Sequence, residues 1–248
     1  MSTPNVPESA DAPETPEEPE VCGTCARPPE VCVCDRIVPF TTKRRVLILQ
    51  HPREKDEILG SAQILTASLP KAEIKVGLSW RNFGQALGTS HEKPSKWAVL
   101  FHDRDVEKTQ ITSPKGAEVD ASSLRGLVVL DGTWSQAKSL WWRNPWLLKL
   151  NRISLHPKEP SIYGKLRPEP SRRHVSTLES VAAVLTACGE NPEIEPGLRR
   201  VFRTLVQRGR DATSGPKTKT GRGNGSGRKA NSRQDAPRRD QPKKSGEV

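Results

Sequence analysis

Four consecutive residues, Asp131 to Trp134, carry the groups best suited to chemistry in this chain. Asp131 offers a carboxylate, Gly132 a flexible backbone and Thr133 a hydroxyl, directly after the apolar run 127–130. Ligands of open α/β sheets bind at the carboxyl ends of strands, and a helix N-terminus attracts anions. An ordinary turn with a helix cap uses the same residue types. Taken alone, the four residues favour that simpler interpretation.

Three other polar segments follow predicted strands or open predicted helices, namely 50–54, 163–169 and 172–179. Each has an ordinary alternative; Ser176 and Glu179, for example, have the spacing of a helix capping box. Together with Asp131 to Trp134, these segments could converge on one pocket at the strand ends.

The elements that must position these residues follow from hydrophobic periodicity. Short buried runs predict strands, and longer stretches with helical spacing predict helices. Unbroken apolar strands that alternate with helices are typical of a mostly parallel α/β sheet flanked by helices. The predicted strands are 45–50, 97–101, 124–130 and 152–155, and the predicted helices are 56–69, 135–142, 176–188 and 196–207.

A second type of chemistry is indicated by four clustered cysteines, Cys22, Cys25, Cys32 and Cys34. Two close pairs of thiolates can supply the four soft ligands of a tetrahedral zinc site, and clustered cysteines in the cytosol bind metal more often than they form disulfides. A redox or iron–sulfur centre is the alternative. Cys188 stands alone in an apolar helical pattern, which predicts a buried packing residue.

Charge is distributed unevenly along the 248 residues, whose formal net charge is +11. Residues 1–20 carry −6, residues 208–248 carry +8, and +9 remains for residues 21–207. A basic folded body attracts polyanions, most commonly nucleic acid, although surplus charge can also serve solubility alone. The predicted organisation is a disordered acidic segment 1–20, a zinc knuckle 21–42, a folded domain 43–208 and a disordered basic tail 209–248.

The chain has no apolar run near the ~20 residues of a membrane span, and it does not open with a secretory leader. We therefore expect a soluble, cytoplasmic protein without a membrane partner. Three of the six tryptophans fall in the segment 141–146, beside the predicted pocket. Aromatic faces next to arginine can stack bases, but core packing is the simpler expectation for Trp141 or Trp142. Trp134 could line the cofactor site or seal the sheet against its helix, and packing is the simpler expectation.

The chain resembles the DTW-domain proteins, the tRNA-uridine aminocarboxypropyltransferases, which are related to the SPOUT class of RNA-modifying enzymes. The resemblance covers about residues 21–205. One departure is the pair Gly60-Ser61, where an Asn-Thr-like pair is expected. The motifs that carry the resemblance are Cys22-x2-Cys25-x6-Cys32-x-Cys34, Gln50-His51-Pro52-x-Glu54, Leu130-Asp131-Gly132-Thr133-Trp134-x-Gln136-Ala137, Leu166-Arg167-Pro168 and Ser176-Thr177-x-Glu179.

The resemblance implies a SPOUT-like fold, whose backbone is knotted in related proteins, and a structural zinc ion. It also implies transfer of the 3-amino-3-carboxypropyl group of S-adenosylmethionine to N3 of a tRNA uridine, with release of methylthioadenosine. Asp131 would then be the base that takes the N3 proton, Arg167 the anchor of the cofactor carboxylate, and Glu54 or Glu179 the partner of its ammonium. The implied catalytic residues are Asp131, Thr133 and Trp134, and the implied cofactor-binding residues are Gln50, His51, Glu54, Gly132, Arg167, Ser176, Thr177 and Glu179.

Two alternatives remain open at the level of sequence. One keeps S-adenosylmethionine but modifies ribosomal RNA or transfers a methyl group. The other is a zinc-knuckle RNA-binding protein without catalysis. The polar loops at strand ends favour an enzyme, since a protein that only binds RNA has no need of Asp131 and Arg167 facing a pocket.

Overall fold

The computed structural model describes residues 21–25, 27–100, 106–167 and 174–214. Its sheet has six strands within these ranges, and all pairings are parallel except that of the short fourth strand with the sixth. The strands are β1 (Arg45–Gln50), β2 (Ala72–Val76), β3 (Trp97–Leu100), β4 (Gln110–Thr112), β5 (Gly126–Asp131) and β6 (Asn151–Ser154), in the spatial order β2-β1-β5-β3-β6-β4.

Five α-helices flank this sheet in the described ranges: α1 (Ala62–Ser68), α2 (Phe83–Leu87), α3 (Trp134–Arg143), α4 (Thr177–Ala187) and α5 (Ile194–Ser214). Short 3-10 turns connect them, including Pro29–Val31 and Cys34–Arg36 in the cysteine segment and Pro52–Glu54 after β1. The helices of the described chain lack the length and apolar character that a membrane crossing requires.

Apolar packing on both faces of the sheet explains the unbroken hydrophobic strands. One cluster joins the sheet to α1, α4 and α5, with Leu65, Leu185 and Phe202 fully buried. The other cluster lies on the opposite face of the sheet, toward which the alternate strand residues point. It joins Trp97 to Phe83 and Trp146. Parallel strands covered on both sides read as continuous apolar runs, because neither face meets water. The mostly parallel α/β architecture predicted from the sequence is therefore confirmed.

Two strands and one helix were not predicted. The edge strand β2 is only partly buried along its length. Its charged residues Glu73 and Lys75 interrupt the apolar run from which a strand would be predicted. β4 has three residues, and α2 has five. Elements this short carry too few residues for a period to emerge.

Two helix boundaries also differ from the expectation. The predicted helix 56–69 shrinks to α1, because residues 52–60 form turns that end with Gly60 donating its N–H to Glu57 O at 2.8 Å. The last helix runs from Ile194 to Ser214, so residues 209–214, assigned to the basic tail, are helical. Gly209 allows this, since a Cβ there would lie 2.6 Å from Leu59 Cδ2.

Several expectations fall outside the described residues. These are the acidic segment 1–20, the basic tail from 215 onward, Phe101 at the end of the predicted second strand, and residues 168–173 of the polar loops.

Candidate active site at the carboxyl ends of the strands

Asp131 is the last residue of β5 and lies directly opposite Gln50, the last residue of β1. The Gln50 amide donates from Nε2 to Asp131 Oδ2 at 2.9 Å, and Thr177 donates from Oγ1 to Oδ1 at 2.6 Å. The Asp131 residue is only 6% exposed. Residues far apart in sequence thus fix both carboxylate oxygens, so the carboxylate has one defined orientation.

The turn after Asp131 opens α3 through a capping box. The Thr133 hydroxyl accepts from the Gln136 N–H at 3.4 Å, and the Gln136 side chain accepts from the Thr133 N–H at 2.6 Å. Position 132 requires glycine because the Gln136 side chain lies close to its backbone: a Cβ at 132 would lie 2.8 Å from Gln136 Cβ. The capping interpretation of the sequence therefore holds for Thr133, which caps α3, while Asp131 lies at the end of β5 beside this turn.

Ser176 opens α4 with the second capping box, as its spacing to Glu179 predicts. Glu179, 2% exposed, also accepts from the Ser161 hydroxyl at 3.0 Å and the Ile162 N–H at 3.1 Å. Arg199 lies 3.6 Å from the same carboxylate. These contacts occupy both oxygens of Glu179 and tie the 161–162 loop to the start of α4.

A cavity of about 400 Å³ lies over Asp131. Residues at the N-termini of α3 and α4 both line it, so the positive ends of two helix dipoles lie beside the same space. Seven of the predicted site residues line this cavity: Asp131, Gly132, Thr133, Trp134, Arg167, Ser176 and Thr177. The other four lie behind or beside it: Gln50, His51, Glu54 and Glu179.

Arg167 is held at the cavity by a buried carboxylate. Its Nη2 lies 2.7 Å from Glu54 Oε2, and its guanidinium stacks over the Tyr163 ring at 5.7 Å from the centroid. Burial on its own would lower the pKa of Arg167, but the hydrogen bond that Arg167 donates to Glu54 raises it, so the guanidinium stays charged. Glu54 is thus engaged with Nη2 of Arg167. The guanidinium has further N–H donors, which can face the cavity that Arg167 lines.

His51 makes hydrogen bonds next to Asp131 through both its backbone and its ring. Its N–H donates to Asp131 O at 2.9 Å, and its Nδ1 accepts from the Arg53 N–H at 3.2 Å. These bonds start the turn Pro52–Glu54 that carries Glu54 toward Arg167.

Trp134 differs from the packing role expected for it. It is 47% exposed, lines the cavity, and makes an edge-to-face contact with His174 at 4.9 Å between centroids. Trp142 is 71% exposed, whereas Trp146 is buried at 6%, so the tryptophan cluster is divided between core and surface.

The cavity also includes four residues that the sequence did not single out as site residues: Ser61, Ser135, Tyr163 and Val175. Ser61 occupies the position where the motif departs from the family pattern, and its hydroxyl accepts from the Leu178 N–H at 3.2 Å. A serine directly before a helix is a visible capping signal. Its partner at the start of α4, 117 residues later, follows only from the fold.

The four clustered thiols form a compact group. Their Sγ atoms lie within 4.8 Å of one another, with Cys22 and Cys34 at 3.6 Å and Cys25 and Cys32 at 3.7 Å. Four Zn–S bonds of ~2.3 Å in a tetrahedron separate the sulfurs by about 3.8 Å. The backbone N–H groups of Cys25 and Thr24 lower the pKa of Cys22 to about 6, whereas burial and the neighbouring thiols raise the pKa of Cys34. These residues therefore fit a metal ion such as zinc.

The cysteine segment is connected to the cavity through Arg27. This buried residue donates from Nε to Ile58 O at 2.8 Å and from Nη2 to Gly60 O. Tyr163 donates its hydroxyl to Leu59 O at 2.6 Å from the cavity side. The turn before Ser61 is thus held from both directions.

Comparison with known proteins gives one consistent family. The model of the DTW domain matches residues 19–210. Proteins named tRNA-uridine aminocarboxypropyltransferase 2 are similar: those of Macaca fascicularis (30% identical) and Mus musculus (31%) each align with 74% of this chain and 61% of their own length. The Drosophila melanogaster protein of that name is 30% identical over 80% of this chain and 77% of its own. The chain thus spans about three fifths of its two mammalian relatives. No solved structure matches it.

Proposed function

Because the chain belongs to the DTW-domain family, we propose that it is a tRNA-uridine aminocarboxypropyltransferase. It transfers the 3-amino-3-carboxypropyl group of S-adenosylmethionine to N3 of a tRNA uridine and releases methylthioadenosine. One feature supports this reaction above the others: the carboxylate of Asp131 lies in a cavity that residues at two helix N-termini line. The names of the three relatives supply tRNA and uridine as the acceptor.

The transfer needs a group that removes or shares the N3 proton of uridine. Asp131 is our candidate, since its two oxygens are oriented by Gln50 and Thr177. N3 attacks Cγ of the methionine moiety, the Cγ–S bond breaks with its electron pair going to sulfur, and the N3 proton passes to Asp131. The sulfonium is already a good leaving group, so holding N3 in line with Cγ supplies most of the catalysis.

Selection of Cγ over the methyl carbon requires that the amino-acid end of the cofactor is anchored. The N-terminus of α3 and the guanidinium of Arg167 suit its carboxylate. Gly132, Thr133, Ser176 and Thr177 shape this anchor, and Trp134 offers an aromatic wall at the cavity. Glu54 and His51 act indirectly, by orienting Arg167 and the backbone of Asp131. Glu179 fixes the start of α4.

Zinc is proposed as a structural ion held by Cys22, Cys25, Cys32 and Cys34, whose four thiolates are close enough to bind one ion. The reaction is placed in the cytoplasm, where clustered thiols remain reduced and can bind metal.

The test is incubation of the full chain with tRNA and S-adenosylmethionine, followed by nucleoside mass spectrometry. Aminocarboxypropyluridine together with methylthioadenosine is the expected pair of products. A methylated nucleoside with S-adenosylhomocysteine would identify a methyltransferase instead, and unmodified tRNA would contradict both activities.

The role of Asp131 is tested by Asp131→Asn, for which we expect at least ~100-fold slower transfer, as typically found when a general base is lost. The Gln50 amide can turn its oxygen toward the new amide, so folding should persist. Full transfer by this variant would show that Asp131 is not the base. Glu193→Gln, at an exposed residue of the α4–α5 connection, serves as the control.

A further inference from the structure

Two exposed tryptophans lie on the outer side of α3. Trp134 is 47% exposed and Trp142 is 71% exposed, with exposed Lys138 midway between them. Residues four positions apart share one side of a helix, so these three form a stripe. Leu140, on the opposite side, is fully buried. The stripe extends ~12 Å along the helix axis, from the cavity to the end of α3.

Core packing does not account for this stripe. Trp97 and Trp146, which do serve the core, are 0% and 6% exposed. Trp142 remains mostly in water and Trp134 about half so, and exposed tryptophans are enriched at surfaces that bind a ligand or partner.

The charge of α3 indicates the chemistry of that partner. Between Trp134 and Arg143 the helix carries two cations, Lys138 and Arg143, and no acidic residue. Both cations are exposed. Aromatic faces interleaved with cations suit unpaired nucleotides, whose bases stack while their phosphates pair with the cations.

The stripe is continuous with the cavity, because Trp134 belongs to both. A nucleotide that places its base over Asp131 would therefore leave its neighbours beside α3. The ~12 Å between the two tryptophans corresponds to about three to four stacked nucleotides.

We propose that this side of α3 binds the single-stranded nucleotides that flank the target uridine. The base of one such nucleotide stacks on Trp142, and Lys138, between the two tryptophans, contacts a phosphate. The assignment of the RNA as substrate rests on the function proposed above; the binding surface itself does not depend on catalysis.

The experiment measures binding of a fluorescein-labelled oligouridylate of about ten nucleotides to the full chain, by fluorescence anisotropy. Trp142→Leu keeps apolar volume without an aromatic face, and we expect its affinity to fall about five- to hundredfold, the range of one lost stack. Trp142→Phe should recover most of that loss. Lys138→Ala should reduce the slope of log affinity against log salt by about 0.7. Lys71→Ala should leave it nearly unchanged, because Lys71 lies at the amino end of β2 and the cavity lies at the carboxyl ends of the strands.

Two parallel measurements separate this proposal from the proposed function. Titration with S-adenosylmethionine alone should give equal affinities for the parent and Trp142→Leu. If transfer to tRNA occurs but Trp142→Leu changes neither oligouridylate affinity nor the KM for tRNA, the surface proposal fails and the activity stands. If transfer is not found but Trp142→Leu still weakens RNA binding, the surface stands without the activity.

Self-association is the competing use of an exposed tryptophan. Sedimentation velocity of the parent and Trp142→Leu distinguishes it. Equal sedimentation together with weaker RNA binding supports the RNA surface. A loss of dimer with unchanged RNA affinity would overturn it.

Discussion

At the scale of single residues, the site depends on how one carboxylate is held. Asp131 accepts hydrogen bonds from Gln50 on β1 and from Thr177 at the start of α4, and its backbone carbonyl accepts from His51. Hydrogen bonds to a charged group are about twice as strong as neutral ones and fix its direction. We therefore regard Gln50 and Thr177 as positioning residues for Asp131.

Thr177→Val tests this positioning, because it removes the hydroxyl while keeping the shape. We expect transfer about 10- to 100-fold slower, corresponding to ~1.5–3 kcal/mol for a hydrogen bond to a charged group. Thr177→Ser, which keeps the hydroxyl, is the matched control. Single-turnover transfer is the measurement, and thermal unfolding checks that both variants fold. Equal rates for the two variants would mean that the hydroxyl does not position Asp131.

At the scale of elements, the cysteine segment and the cavity share one structural unit. Arg27 reaches from the cysteines to the turn 58–60, which leads into Ser61 and, through its hydroxyl, to the N-terminus of α4. Arg208 on α5 holds the segment from the other side through a double hydrogen bond to Asp35 at 2.9 and 3.0 Å. A metal ion in the cysteines would therefore stabilise the wall of the cavity from a distance.

Arg27→Met separates this connection from metal binding, since it leaves the four thiols unchanged. We expect metal content to be retained, unfolding to become easier by about 1–3 kcal/mol, and S-adenosylmethionine to bind more weakly. Atomic absorption, urea denaturation and calorimetric titration give the three quantities. Removing metal with a chelator under reducing conditions should likewise weaken the binding of S-adenosylmethionine. Cofactor affinity that is insensitive to both treatments would disprove the connection.

At the scale of the whole molecule, a buried ion pair joins the start of the sheet to the segment after α4. Arg44 Nη1 lies 2.8 Å from Glu190 Oε1, and the N–H groups of Lys43 and Arg44 also donate to that carboxylate at 3.0 and 3.1 Å. Burial on its own would raise the pKa of Glu190, but these hydrogen bonds and the charge of Arg44 lower it.

The lowered pKa of Glu190 determines how the stability of the fold depends on pH. A carboxyl whose pKa is lower in the folded state stabilises the fold above its unfolded pKa of ~4.3, and this contribution is lost as pH falls through the folded value. Urea denaturation between pH ~7 and pH ~3 should therefore show an acid loss of unfolding free energy that is shallower in Glu190→Gln. That variant should also be less stable at neutral pH, because Arg44 loses its charged partner. Glu193→Gln is the exposed control, and an acid loss identical in all three proteins would exclude Glu190 as a contributor.

Local chemistry made several parts of the molecule predictable. The parallel α/β class follows from the buried runs of β1, β3 and β5, and the capping box of Ser176 follows from its spacing to Glu179. The cysteine spacing indicated a tetrahedral thiolate group, which the sulfur distances fit. In each case the signal lies within a few residues, so short-range geometry is sufficient.

The tertiary structure decided which of these residues meet. Gln50 and Asp131 are 81 residues apart, and only the register of β1 against β5 places them opposite each other. Glu179 is saturated by its own loop contacts, Glu54 is paired with Arg167, and Trp134 is exposed at the cavity. The sequence by itself determined the chemical groups and the type of sheet, because these depend on composition and period. Partners and exposure depend on long-range packing, which no local pattern of residues encodes.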